Sequence, residues 1–268
     1  MLLKSIEFMQ TEETGYPYDL PFFGHTLTLT SPITILVGEN GAGKSSLLKL
    51  LNDEIKLYRI DASGSQTKKN QKTLKSTLHL PNIQYVRTKP KGFYFSSEDF
   101  TTYIQSLEHN KQDAYQALEE IKKEYANKSD FSKSLARMPH MRTLHDIDQM
   151  YQKDLLTSSH GEAYLDFFKS RLRTQELYLL DEPETPLSIQ NQITMLSLLD
   201  EAVSRGNQFI IATHSPILMS IPGATIYEIS LDGVRSIEYD DIASVRLLKH
   251  FLNHKEQFFK HLYEKKSE

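Results

Sequence analysis

The chain has 268 residues, 39% hydrophobic and 25% charged, with 31 Lys and Arg against 35 Asp and Glu and so a net charge of −4. That balance is ordinary for a globular protein, and it excludes a uniformly basic nucleic-acid coat and an acidic disordered tail. There is no cysteine, which excludes disulfides, thiolate metal sites and cysteine nucleophiles, and no apolar run reaches the roughly 20 residues of a membrane helix.

Residues 1–9 read as a strand. Lys4 and Glu7 interrupt the apolar stretch, so it is not the core of a secretory signal. A cytoplasmic protein with no membrane insertion is expected. Residues 26–37 hold strand-like runs broken at Ser31-Pro32. A glycine-rich loop follows at 38–43, and Ser45 to Tyr58 reads as a helix whose buried side is Leu47, Leu48, Leu50, Leu51 and Ile55. Residues 61–80 are polar and basic and read as a loop. Short strands are expected at 83–87 and 92–95. Phe100, Tyr103, Ile104, Leu107, Ala114, Leu118, Ile121 and Tyr125 predict a helix over 99–126, with a break near Asn110. Residues 129–157 read as short helices.

The last third alternates: helix 163–173, strand 176–181, a helix marked by Ile189, Ile193, Leu196, Leu199 and Val203, then the strand beginning at Phe209. Strands at 225–229 and 234–239 and one C-terminal helix complete the chain. This alternation predicts an α/β layered fold. The expected organisation is a single domain over 1–268. Its core is 1–58 and 158–240, with a mostly helical insertion at 59–157 and a C-terminal helix at 241–268.

Gly38-Glu39-Asn40-Gly41-Ala42-Gly43-Lys44-Ser45 matches G-x-x-x-x-G-K-[ST] and sits between an apolar strand and a helix. The glycines let backbone N–H groups converge on one anion, and the helix start adds favourable partial charge. Lys44 can reach β- and γ-phosphates, the Ser45 hydroxyl can bind Mg²⁺, and Ser46 continues the nucleotide-binding run. Leu177-Tyr-Leu-Leu-Asp181-Glu182-Pro183 is an apolar strand ending in two carboxylates. Asp181 can hold magnesium, and Glu182 can polarise a water aimed at the γ-phosphate. Ala212-Thr213-His214-Ser215-Pro216 follows another buried strand and offers a histidine at a strand end. Ser158-Ser159-His160-Gly161-Glu162 precedes a helical stretch and can be a helix cap or an anion-binding turn.

Taken in chain order, as phosphate loop, Ser159–Glu162, acidic strand end and His214, the four pieces resemble the ABC-type ATPases, a class of P-loop NTPase with a mixed sheet flanked by helices. The wording Ser-His-Gly-Glu, Leu-Leu-Asp-Glu-Pro-Glu and Ile-Ala-Thr-His-Ser-Pro is similar to the small AAA-labelled bacterial ATPases. Those resemble the heads of repair and chromosome-maintenance proteins more than transporter subunits. The resemblance implies a homodimer closing around two Mg-ATP. Ser159, Gly161 and Glu162 of one copy would complete the site that holds Lys44 of the other. Glu182 would be the catalytic base, and His214 would sense the γ-phosphate. The family's magnesium-binding glutamine has no clear counterpart. The strand Ile83-Gln84-Tyr-Val-Arg87 is followed by Thr88, and Glu98 after the second short strand is the other candidate for the metal. Tyr16 and Tyr18 are placed to stack on adenine. The loop after Glu182 lacks the family's aspartate.

The functional expectation is an ATPase acting as a switch or motor on nucleic acid or an effector protein, in repair or phage defence. The alternatives are a transporter ATPase subunit, an ATP-gated binding module with little turnover, and a P-loop kinase. Residues 55–91 hold nine basic residues against one acidic one, Asp61, and are the candidate nucleic-acid contact.

Overall fold

The computed structural model describes residues 1–60, 66–67, 81–149 and 160–264. The elements run β1 (Leu3–Glu7), β2 (Thr26–Thr28), β3 (Ile33–Val37), α1 (Lys44–Ile55), β4 (Tyr58–Ile60), β5 (Gln66–Thr67), β6 (Asn82–Tyr85) and β7 (Gly92–Ser96). They continue with α2 (Ser97–Glu124), α3 (Asp130–Gln149), α4 (His160–Arg171), β8 (Leu177–Asp181), α5 (Ile189–Ser204), β9 (Gln208–Ala212) and α6 (Pro216–Met219). The hairpin β10 (Thr225–Ser230) and β11 (Gly233–Ser236), one 3-10 turn, α7 (Ala243–Asn253) and α8 (Lys255–Glu264) close the chain. Most of the basic loop 61–80, the segment 150–157, Ser158 and Ser159 lie outside the described residues.

The main sheet has the order β11-β10-β3-β9-β8-β7-β4-β5. Six neighbouring strands are parallel, and β11 and β5 pair antiparallel at its two edges. The central strands β3, β7, β8 and β9 are buried along their whole length. That is why they read as continuous apolar runs rather than alternating ones.

Period-2 alternation then decides what each face of the sheet holds. Ile35, Phe93, Phe95, Tyr178, Leu180, Phe209 and Ile211 face the layer of α2, α4, α5 and α6. Leu36, Tyr94, Leu177, Leu179, Ile210 and Ala212 face α1 and the small sheet. Asp181 follows Leu177 and Leu179 in step, so its carboxylate falls on the α1 face. Helix α4 is held by Tyr164 and Phe167, whose rings meet Phe95 and Phe100 at 4.9–5.5 Å.

A second sheet, β2-β1-β6, is antiparallel. The buried Gln208 side chain ties it to the main sheet by accepting the Leu2 and Leu3 N–H groups at 2.6 and 2.8 Å.

Three expectations are corrected, and one strand finds a partner that the sequence did not indicate. The 129–157 stretch, where described, is one helix and not several short ones. Pro139 sits inside it, and Thr143 Oγ1 donates to the Pro139 carbonyl at 3.1 Å. Helix α2 does not break at Asn110. That residue is solvent-exposed, and an exposed asparagine costs a helix only a fraction of a kcal/mol, below about 0.7. The C-terminal helix is two helices, turned at His254 so that Phe251 meets Phe258 and Phe259 at 5.4 and 6.1 Å. The strand at Ile83–Arg87 belongs to the small sheet and does not border β8.

Candidate active site

The loop Gly38–Gly43 leaves the C-terminal end of β3 and enters α1. Gly38 has φ 149, and a Cβ there would lie 2.2 Å from the Ile229 carbonyl oxygen, so only glycine fits. The loop ends on Gly43, also at positive φ, and Lys44 opens α1. The Lys44 ammonium donates to the carbonyls of Gly38 and Glu39, both at 2.9 Å, and so braces the inside of its own loop. Burial lowers its pKa, an effect opposed by the charges of Glu182, Asp181 and Glu184.

One residue on, in the first turn of the same helix, the Ser45 hydroxyl donates to Asp181 Oδ1 at 2.8 Å. The Tyr94 hydroxyl, on the adjacent strand and the same face, donates to Asp181 Oδ2 at 3.1 Å. Burial raises the Asp181 pKa. The bonds from Ser45 and Tyr94 and the Lys49 charge oppose that rise, and Glu182 adds to it. A hydroxyl and a carboxylate oxygen side by side are the hard-oxygen donors a magnesium ion takes, with phosphate oxygens and water filling its other positions. The residues therefore fit Mg-nucleotide. Among the described residues no cluster of three His, Cys, Asp or Glu side chains forms a separate metal site.

Glu182 has φ 49, a left-handed conformation that costs a non-glycine residue about 1–3 kcal/mol and concentrates at functional sites. The conformation is held from both sides. Its N–H donates to the Ala212 carbonyl at 2.9 Å, and its carbonyl accepts from the Ser97 hydroxyl. The outcome is a half-exposed carboxylate facing His214, with Oε1 3.9 Å from the imidazole Nε2. Asn40, Gly41, Gly43, Lys44, Ser45, Ser46, Glu182 and His214 line one cleft of about 640 Å³. The parallel sheet thus delivers three strand ends, from β3, β8 and β9, to a single crevice at their carboxyl edge, the usual ligand position in open α/β sheets.

Residues 28–185, more than half of the chain, match the family described as ABC transporter. The chain belongs to the ABC transporter family, as its ATPase domain. It is an enzyme that binds and hydrolyses ATP. No curated protein sequence matches it.

Among solved structures, this ABC ATPase is similar to an inward-facing metal-chelate type ABC transporter, at 18% identity, covering 90% of this chain and 84% of that one, with a TM-score of 0.45. It is also similar to an ATP-binding cassette of an ABC transporter in its ADP conformation, at 13% identity over 88% and 90% of the two chains, TM-score 0.49. A nucleotide-free cassette from an ABC transporter gives 12% identity over 89% and 93%, TM-score 0.47. No helix among the described residues is long and apolar enough to cross a membrane.

The remaining candidates fall at the edges of the cleft. Glu98 is exposed in the first turn of α2, directly after β7, whose Ser96 pairs with Asp181. This strand, and not Ile83–Arg87, borders the magnesium-type carboxylate. Gly161 and Glu162 lie in the first turn of α4. A Cβ on Gly161 would come within 2.6 Å of Asn191 Nδ2 and 3.0 Å of the Pro186 carbonyl, so the glycine lets α4 approach the loop after Glu182. Tyr16, 62% exposed, donates its hydroxyl to Ser46 Oγ at 3.2 Å beside the phosphate loop, whereas Tyr18 packs on Phe23.

Sequence reasoning missed two residues. Tyr94 was only a position in the short strand expected at 92–95, but strand register puts its hydroxyl on Asp181. Glu184 read only as a departure in a loop, but its Oε1 accepts the His214 N–H at 2.6 Å.

Proposed function

We propose that this ATPase closes as a head-to-tail homodimer around two Mg-ATP and works as a switch on a partner protein. The reading rests on one observation: Ser45, Glu182 and His214 line a single cleft with the phosphate loop, and the Ser45 hydroxyl is bonded to Asp181 behind it.

In this mechanism the loop amides and Lys44 receive the β- and γ-phosphates, Lys44 exchanging its loop carbonyls for phosphate oxygens. Ser45 and Asp181 would hold magnesium, with Glu98 the further candidate ligand. The bound ion would neutralise charge developing on the phosphate oxygens. Glu182 orients the attacking water and accepts its proton, and His214 reads the γ-phosphate across from it. Ser159, Gly161 and Glu162 of the second copy complete the site. Tyr16 receives the adenine.

A protein partner is favoured over nucleic acid by two groups of residues. Of the basic stretch 55–91, Arg59 is committed to Asp99 at 2.5 and 2.7 Å and stacks on Tyr94, while Lys89 donates to Glu54. On α3, Phe131, Leu135, Met138 and Met141 form an exposed apolar stripe. The family description favours one version of this reading, an ATPase subunit of a membrane transporter. Co-purification with a membrane protein whose presence raises turnover would support that version, and the AAA-like repair or defence role would then fall.

The test of the dimer is Glu182→Gln on a sizing column with light scattering, with and without Mg-ATP. The expected result is a monomer-to-dimer shift that needs ATP and that Ser159→Arg abolishes. ATP binding with no change in mass overturns the self-complementing dimer.

A further inference from the structure

We propose that Glu184 is a positioning residue for ATP hydrolysis, acting through His214. The proposal rests on the γ-phosphate role given to His214 above.

Three consecutive amides follow β9, and each has a different partner. Thr213 N–H donates to the Leu36 carbonyl at 3.2 Å, and Ser215 N–H donates to the Thr213 hydroxyl at 3.0 Å. His214 N–H, between them, goes to the Glu184 carboxylate at 2.6 Å, across 30 residues of sequence. A charge-assisted bond of that length is the strongest of the three. It joins the turn carrying Glu182 to the backbone of His214, whose ring faces Glu182. Beside the bond from the Glu182 N–H to Ala212, Glu184 thus supplies a side-chain tie that helps set the separation between the two side chains in the cleft.

The turn itself is fixed from outside. Gly161 lies close against the Pro186 carbonyl and the Asn191 side chain, where a Cβ would come within 3.0 and 2.6 Å of them. The Leu187 N–H donates to the Glu184 carbonyl at 2.8 Å. Glu184 thus reaches His214 from an anchored loop.

The choice of a carboxylate is the second part of the argument. Its other oxygen, Oε2, is buried and has no hydrogen-bond partner among the described residues. A glutamine would offer the same acceptor without leaving a charged oxygen unsatisfied. Native folds rarely keep such an atom, and the exceptions gather where function opposes stability. The Glu184 charge is also felt at the Lys44 ammonium.

The experiment is steady-state ATP turnover of the full chain for Glu184→Ala, Glu184→Asp, Glu184→Gln, His214→Ala and the double variant Glu184→Ala/His214→Ala. Glu184→Ala is expected to lower kcat about tenfold, the worth of one charge-assisted hydrogen bond, with KM for ATP moving less than about twofold. Glu184→Asp keeps the charge but shortens the reach, and should fall with alanine. Glu184→Gln keeps reach and acceptor but not the charge, and should recover only part of the loss. The double variant should be no slower than His214→Ala.

A slow His214→Ala combined with a fully additive double variant overturns the inference while leaving the His214 role intact. So does a Glu184→Gln as slow as alanine. Unchanged turnover in His214→Ala overturns the role of His214, and this inference with it. If alanine prevents folding, the aspartate and glutamine variants decide the matter between them.

Discussion

The nucleotide cleft and the α2–α3 hairpin depart from the same rule in opposite directions. In the cleft, charged groups are inside: Lys44 is 5% exposed and Asp181 7%. On the hairpin, apolar groups are outside: Phe131 is 78% exposed and Met138 59%. Charges are seldom buried unless paired, and contiguous apolar surface is seldom left in water. Burying a lysine and a carboxylate beside the cleft carries a desolvation penalty, which a bound anionic ligand with its cation would offset. The hairpin meets its structural needs on one side only. Ala114 and Leu144 are buried between it and its neighbours, and the opposite face of α3 is apolar without being core. Changes in the cleft should therefore alter chemistry more than stability. Changes on the outer face of α3 should alter neither in the isolated chain.

The sharpest test of this contrast is Glu182→Gln. Removing a general base costs about 10²–10⁴ in rate. Turnover should fall by that factor while ATP still binds, as judged by equilibrium binding beside steady-state kinetics. Unchanged turnover would sink the catalytic assignment and with it the claim that the strained φ of Glu182 serves catalysis.

Next in size is Lys44→Ala. One hydrogen-bonded ammonium is worth about 1.5–3 kcal/mol, so ATP affinity should drop by about 10- to 100-fold. Isothermal titration with Mg-ATP measures it. An affinity within twofold of the parent would show that the loop amides carry the phosphates by themselves.

These effects fall on residues that the sequence made legible. Gly38, Lys44, Ser45, Asp181 and Glu182 are recognisable because phosphate chemistry needs fixed spacings along one strand–loop–helix segment. The parallel sheet and its helical layers were legible for the same local reason, since alternation of strand and helix implies crossovers. What was not legible depends on pairing across the chain. Nothing near Ile83 says that it will join β1, 77 residues away by the register Ile6 to Ile83, and not β8. The polar–apolar alternation of Asn82-Ile83-Gln84-Tyr85, against the unbroken aromatic run Phe93-Tyr94-Phe95, was the one available signal. Glu184 was invisible because its partner is a backbone amide on another strand. The stripe on α3 was not read from the sequence at all, and helical periodicity would not have said whether anything covers it.

Asp181→Asn probes the stability side of the cleft. The folded pKa of Asp181 is raised above the ordinary value of 3.8, and burial is the first cause. A raised carboxyl contributes stability below its unfolded pKa and loses it as pH rises through the folded value. At neutral pH the charged form is thus a liability to the fold. Asparagine keeps an acceptor for Ser45 and carries no charge. The variant should melt a few degrees higher than the parent near pH 7 in nucleotide-free buffer. The gap should shrink as pH is lowered toward about 4, while turnover is lost at every pH. A gap that widens on acidification would mean that Ser45, Tyr94 and Lys49 outweigh desolvation. Asp181 would then be a stabilising residue that happens to sit at the site.

The smallest expected effect is on the hairpin, and it is the one that most directly separates the two regions. Phe131→Gln and Met138→Gln each replace an exposed apolar side chain on the outer face of α3. Surface changes of this kind move stability by less than about 0.5 kcal/mol, whereas deleting a buried phenylalanine costs about 3–5. Urea unfolding of each variant, beside Phe95→Ala as the buried reference, measures the difference. Phe95 is 2% exposed and ringed by Phe100, Tyr164, Phe167 and Phe168, so its loss should reach the full core value. Basal turnover of the two glutamine variants should match the parent, because neither side chain lines the cleft. If either one destabilises the isolated chain as Phe95→Ala does, the stripe is covered within the chain and belongs to a core. If both are neutral, the apolar face is kept for a reason outside the fold of one copy. The contrast with the cleft would then stand, with charge buried for a ligand in one place and hydrocarbon exposed for a partner in the other.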